Sequence, residues 1–326
     1  MTAFTRHVRS SEIDLGHLAP ADVDLIVTVA GYEPRCTHVC SELIRIHGED
    51  AARKILLLSF KSHREHPERI AADSFYQSVR PKWQLDVSPD EGVAVRQRVK
   101  ELLSKSASTS PLLLIDYTAM SRVLYLCLLD LLRDGVRLAF FYSVGLYPDG
   151  CVSFPISSVG SIRSVPGLEG LPYPGRPKLY VFGLGFDAVG TSALLDKLEA
   201  GRFVTYWADP GAFPGAASLV VQKHEKIISR ALMSFWTDLR DVQHATRILD
   251  SIAFESLHRD KVVLVPVGPK PQVLAAAIVA SRHDHVTLLA PHLEGGGIRH
   301  EIPAIESAGE IVGTLVEGAS DGFVVV

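Results

Sequence analysis

The chain is predicted to be an α/β protein built as two tandem Rossmann-like lobes. The lobes form an internal duplication, each a mainly parallel sheet with helices on both faces and a closing β-hairpin. Three observations predict this. Short apolar runs without alternation, such as "DLIVTVA" and "LLLID", read as strands buried on both faces. Each run is followed by a helical stretch, and strand–helix alternation gives parallel sheets. The order of elements then recurs after about half of the 326 residues.

In the first copy, "DLIVTVAGYEPR" (Asp24–Arg35) is a strand with its exit loop, and "CTHVCSELIRIHG" is a helix closed by Gly48. "KILLLSF" is the second strand. Helical stretches follow around Ile70–Ser78 and Glu91–Ser104, the latter with Val93, Val95, Val99, Leu102 and Leu103 as its apolar stripe. "LLLIDYTAMSRVLYLCLL" is a strand ending at Asp116 and a helix running to "RDG". "VRLAFFYSV" is the next strand, and "LYPDGCVSFPI" reads as a hairpin turning at Asp149–Gly150.

The segment "GLPYPGRPK", rich in Pro and Gly, marks the boundary, giving lobes 1–172 and 173–326. The second copy runs "KLYVFGLGFDAVG", "TSALLDKLEAG" and "RFVTYW". A long helical region, roughly Ala216 to His258, comes next. "KVVLVPVGPKPQVLAAAIVASR", "HVTLLAP" and the glycine hairpin "LEGGGIRHEIPA" complete it. The pairs Gly31/Gly185, Thr118/Gly268, Pro155/Pro303 and Gly170/Gly318 lie 154, 150, 148 and 148 residues apart, a nearly constant offset. "FPISSVG" and "IPAIESAG" match where generic α/β architecture dictates nothing.

Composition narrows the function classes. With 47% hydrophobic and 21% charged residues the chain is globular, and a net charge of −4 gives no reason to expect duplex DNA or a membrane surface as partner. The N-terminus lacks the apolar run of a signal peptide, and no window is a membrane span. Cys36, Cys40, Cys127 and Cys151 form no disulfide framework, which fits a cytoplasmic location. "CTHVC" is not a CxxC-type pair, so no metal is expected.

Ligands of open α/β sheets sit beyond the carboxyl ends of the strands. Four strand exits qualify: "AGYEPR", "DYTAMSR", "LGFDAVG" and "VGPKPQ". Asp116 ends its strand, and Thr118 stands where an N-cap hydroxyl belongs. Arg122 lies one turn on, placed for an anion. In the second copy Gly268 allows close backbone approach, and Lys270, set between Pro269 and Pro271, is the nearby cation. Gly31 suggests a positive φ or a tight backbone. Tyr32 and Phe186 suit base stacking or core packing. Glu33 and Asp187 suit base amines or ribose hydroxyls, and Arg35 is present in the first copy alone. The alternative for Asp116, Thr118 and Arg122 is a purely structural role as caps and ion pairs.

Gly183-x-Gly185-x-x-Ala188, with Asp209 after the next strand, is a variant dinucleotide fingerprint. Asp187 inside that loop would repel pyrophosphate, so no cofactor is expected. "HREHPER" and "SRHDH" read as polar surface loops. There is no GxSxG, Walker loop or HExxH, so no catalytic residue is assigned. An enzyme acting on a nucleotide or NAD-like substrate, and a structural subunit of a defence complex, stand as alternatives to a binding module.

At "IDYTAMSR" and "VPVGPKPQ" the chain resembles the CRISPR-associated Rossmann-fold (CARF) family and its fused two-lobe relatives, the SAVED domains. The resemblance implies sensing of a nucleotide second messenger, of the cyclic oligonucleotide kind, in a cleft between the lobes, as part of bacterial antiviral defence. It assigns Thr118 and Arg122 to the first corner and Gly268 and Lys270 to the second, with Tyr32, Glu33 and Asp187 on the floor. The corners are poorer in glycine than the family's usual Thr-Gly-Gly-Thr-Lys. Because the repeat takes up both halves, the implied effector is a separate protein.

Overall fold

A computed structural model describes residues 4–62, 64–147, 158–294 and 305–325. In chain order, β1 (Phe4–Glu12) and β2 (Leu25–Ala30) lead to α1 (His38–His47) and the short α2 (Glu49–Ala52). Then come β3 (Ile55–Phe60), α3 (Pro67–Val79), β4 (Trp83–Val87) and α4 (Gly92–Leu103). They are followed by β5 (Leu112–Asp116), α5 (Arg122–Leu126) and β6 (Arg137–Leu146). After β7 (Ser158–Ser164) the pattern repeats: β8 (Lys178–Gly183), α6 (Ala188–Lys197), β9 (Phe203–Ala208), α7 (Ala216–Lys223) and α8 (Glu225–Ile228). β10 (Met233–Thr237), α9 (Val242–Ser256), β11 (Lys261–Pro266), α10 (Lys270–Arg282), β12 (Val286–Glu294) and β13 (Glu306–Val325) complete the chain.

The fold is mixed α/β with two mainly parallel sheets flanked by helices. One sheet has the order β4-β3-β2-β5-β6-β13-β1, the other β10-β9-β8-β11-β12-β7. Equivalent strands occupy equivalent places, so the repeat read from the sequence is a repeat of topology. β2, β3 and β5 are buried along their whole length, as strands covered on both faces must be. Each sheet has its own apolar core. Ile26, Leu43, Ile55, Leu114 and Phe141 centre the first, and Phe182, Leu194, Phe203 and Val265 the second.

Local signals act as read. Gly48, at φ 63°, closes α1 by giving its N–H to Ile44 O. Helical structure after β5 runs on from α5 as a 3-10 segment to Asp134 and stops at Gly135, φ 76°. On α4, Val95, Val99, Leu102 and Leu103 are buried, whereas Val93 is 48% exposed and falls outside the stripe.

Three readings need correction. The long helical region expected from Ala216 to His258 is broken by β10; the two earlier helices stand as read, with β4 unforeseen between them. Both strands are five-residue edge strands, too short for their periodicity to stand out between helices. The "SRHDH" histidines are not on the surface: His283 is 5% exposed and His285 0%. "HREHPER" is exposed at Arg64 and Glu65, and His63 lies outside the described residues, but Arg69 is not a surface residue: its side chain is fully buried on Ser59 Oγ (2.6 Å) and Phe60 O (3.1 Å).

The closing antiparallel strands are present, but each sheet is closed by the strand that follows the other copy. β13 pairs with β6 (Val312 opposite Tyr142) and β7 with β12 (Ile162 opposite Pro291). The turns expected at Asp149–Gly150 and in "GGGIRH" lie outside the described residues. One compact unit accordingly comprises Arg9–Pro148 with Pro303–Ser320. The other comprises Met1–Val8, Asp149–Ile302 and Asp321–Val326. Lobes cut at 172/173 contain the same central strands and differ from these units in the closing ones. No helix among the described residues is long and apolar enough to cross a membrane.

Candidate functional site

The carboxyl ends of β2 and β5 meet in the first unit. Gly31 does not take a positive φ; it provides close approach, since a Cβ there would lie 2.5 Å from Ala119 Cβ. The second unit uses the same device. A Cβ on Gly185 would lie 2.8 Å from Val267 O, and one on Gly268 would lie 2.8 Å from Leu184 O. In both units the exit of the first core strand is thus pressed against the strand–helix corner.

Four of the expected site residues of the first unit, Glu33, Arg35, Asp116 and Thr118, join one buried network. Asp116 accepts from Thr28 Oγ1 (3.1 Å) and from the Thr118 N–H (3.1 Å). The Thr28 hydroxyl lies 2.9 Å from Tyr76 Oη, which donates to Cys36 O at 3.2 Å. Thr118 Oγ1 accepts the Ser143 N–H at 2.9 Å, and Ser143 O accepts from Arg35 Nη1 at 3.0 Å. Arg35 also donates to Tyr142 Oη (2.9 Å) and Glu33 Oε2 (2.6 Å). Burial opposes its charge, but Tyr142 and Glu33 outweigh that and move its pKa up, so it stays protonated. Gly145 makes room for it: a Cβ there would lie 2.9 Å from Arg35 Nη1. With Arg35 at 4%, Asp116 at 2% and Thr118 at 0% exposure, these hydrogen bonds hold the loop after β2, β5 and β6 together. Burial also pushes the Cys36 thiol up to about 12 and raises that of Cys40.

Thr118 does not cap the following helix, as its position suggested. Ser121 is the N-cap, its hydroxyl accepting the Leu124 N–H at 3.4 Å, because three further residues turn before the helix begins. Arg122 is therefore the first helical residue and is partly buried. Lys270 is likewise the first residue of α10, after Pro269, and is also partly buried.

Tyr32 and Phe186 make equivalent contacts. Tyr32 stacks on Phe60 (centroids 5.8 Å apart) and donates to Ser62 O at 2.9 Å; Phe186 stacks on Phe213 at 5.7 Å. Each braces the second strand–helix loop of its own unit. Asp187 caps α6, with Oδ1 accepting the Gly190 N–H at 2.8 Å. That carboxylate occupies the helix mouth where a dinucleotide pyrophosphate would sit.

Sequence reasoning missed Tyr142, Ser143, His224 and Gln272. His224, 1% exposed, has Nε2 2.8 Å from Gly185 O. Burial lowers its pKa, so the neutral ring donates from Nε2. Gln272, also 1% exposed, donates from Nε2 to Thr237 Oγ1 at 2.8 Å, and its Oε1 lies 3.0 Å from where a Gly268 Cβ would be. The pattern of apolar faces signalled none of these, since each is a polar group that hydrogen-bonds to a segment distant in sequence. Compared with family models and with curated proteins, the chain matches none.

Proposed function

We propose that the protein is a binding module that senses an anionic nucleotide second messenger at the strand–helix corners of its sheets. One observation carries the reading. Arg122 and Lys270 stand at the same point of two sheets with the same strand order, each opening the helix that follows the fourth core strand. Each cation stands beside the first-turn amides of its helix, so an anion bound at the corner gains charge-assisted hydrogen bonds from both. The resemblance to CARF and SAVED proteins supports a cyclic oligonucleotide as that anion and a separate effector protein in antiviral defence, and the cysteine usage supports a cytoplasmic setting.

The test is calorimetric titration and thermal shift with cyclic di-, tri- and tetranucleotides, NAD and ATP. Arg122→Ala and Lys270→Ala should each weaken binding by about tenfold or more, given about 1.5–3 kcal/mol for a hydrogen bond to a charged group. Melting of the ligand-free protein should barely change. Ligand consumption on chromatography would move the reading to an enzyme. Affinity unchanged in both variants would remove the corners from it.

A further inference from the structure

The second unit holds a hollow of about 520 Å³ beyond the ends of β9 and β10, within the range of small-molecule sites, about 300–1,000 Å³. Asp209, Phe213, Ser218 and Arg240 are among the residues that line it. Its two walls are fixed to each other: the Leu239 N–H donates to Pro210 O at 3.2 Å and Arg240 Nη1 to Gly211 O at 3.2 Å. Phe213 stacks on Phe186. Gly211 lets the loop fold back onto α7, since a Cβ there would lie 2.8 Å from Ala216 Cβ.

We infer that this hollow binds a ribonucleoside, with the Asp209 carboxylate taking the ribose diol and the base lying against Phe213 and Arg240. Asp209 directly follows the second core strand of its sheet, where a carboxylate in a Rossmann-like sheet meets a ribose. It is exposed at the hollow's rim, so a diol reaches it without burying an unpaired charge. An aromatic face and a guanidinium are the two surfaces on which a base stacks most readily. The Asp187 carboxylate at the mouth of α6 disfavours a pyrophosphate beside it, which points to a nucleoside rather than a dinucleotide. This site is separate from the corner cations and does not depend on them.

Adenosine and 2′-deoxyadenosine, titrated into the full chain by calorimetry, test it. Adenosine should bind at least about tenfold tighter than the deoxy form, the loss of one hydrogen bond to a charged group. Asp209→Asn should bring the two affinities together, and Arg240→Ala should weaken both. The ribose discrimination needs no variant and stands even if Asp209→Asn fails to fold. Equal affinities, no binding of adenosine, guanosine, cytidine or uridine, or indifference to Asp209→Asn would overturn the inference. Lys270→Ala should leave adenosine binding intact. Loss of binding there would place the nucleoside at the corner, sinking this proposal and sparing the other.

Discussion

The Thr118 hydroxyl accepts the backbone N–H of Ser143 at 2.9 Å, and both residues are fully buried. Thr118→Val keeps the shape and removes the acceptor, leaving a buried N–H unpaired. The expected cost is about 1–3 kcal/mol in urea denaturation. Thr118→Ser keeps the oxygen and loses one methyl, at about 1 kcal/mol. Were Thr118 instead a ligand contact, Thr118→Val would lower ligand affinity and leave the unfolding midpoint in place.

The apposed glycines give a second prediction. Gly31→Ala drives a methyl to 2.5 Å from Ala119 Cβ, and Gly268→Ala to 2.8 Å from Leu184 O. Neither neighbour is the end of a flexible side chain, so the backbone must shift. Each substitution should destabilise by about 1–3 kcal/mol. Gly201→Ala is the control: nothing lies within 4 Å of its Cβ, so stability should hold or rise by about 0.4–1 kcal/mol. Equal effects at all three positions would mean that close approach does not decide them.

These residues show how far the sequence was legible. Buried strands declare themselves as apolar runs, and the repeat offset located Gly31, Gly185 and Gly268 at the strand exits where the structure needs them. The closing strands were not legible as paired, because a duplicated strand fits the edge of either copy and only the three-dimensional chain path chooses. Thr118 was misread as a cap because its partner, Ser143, lies 25 residues away, a distance over which local capping signals say nothing. His283 and His285 were misread because a polar string in sequence carries no sign that Asp250 and Ala253 receive its rings.

His285 makes stability depend on pH. His285 Nε2 lies 2.8 Å from Ala253 O, and burial lowers its pKa from the ordinary 6.5. The unfolded chain thus takes up the proton before the native one does. The contribution is complete above about pH 6.5 and is lost as the pH falls below that. His224 is shifted in the same direction and adds to the loss. Asp250 opposes its own burial through His283 (2.7 Å) and Arg282 (3.4 Å), which lower its pKa from 3.8. Its contribution is present above that value and is lost as the pH falls through the lowered one. Urea midpoints should therefore fall gently from pH 7 to 5 and again below pH 4. Asp284, Arg176 and Tyr173 also face the cluster and should be kept in every variant. His285→Gln should flatten the first slope without abolishing it; an unchanged slope would exclude His285 as its source.

The reciprocal closing strands predict an effect at long range. β13 buries Val312, Thr314 and Val316 against the first unit, and Gly313 O accepts the Ile13 N–H at 3.3 Å. Deleting Pro303–Val326 therefore strips the β6 edge, although the deleted segment follows the second copy in sequence. Phe141 and Tyr142 would lose their ladder partners, and the β6 edge would be left open to water and to other strands. The first unit should lose cooperative unfolding while the second keeps it. Trp83 reports on the first unit once Trp207 and Trp236 are replaced by Phe, and Trp207 reports on the second once Trp83 and Trp236 are replaced. If each copy were closed by its own hairpin, the deletion would instead expose β12, and Trp207 would report the damage.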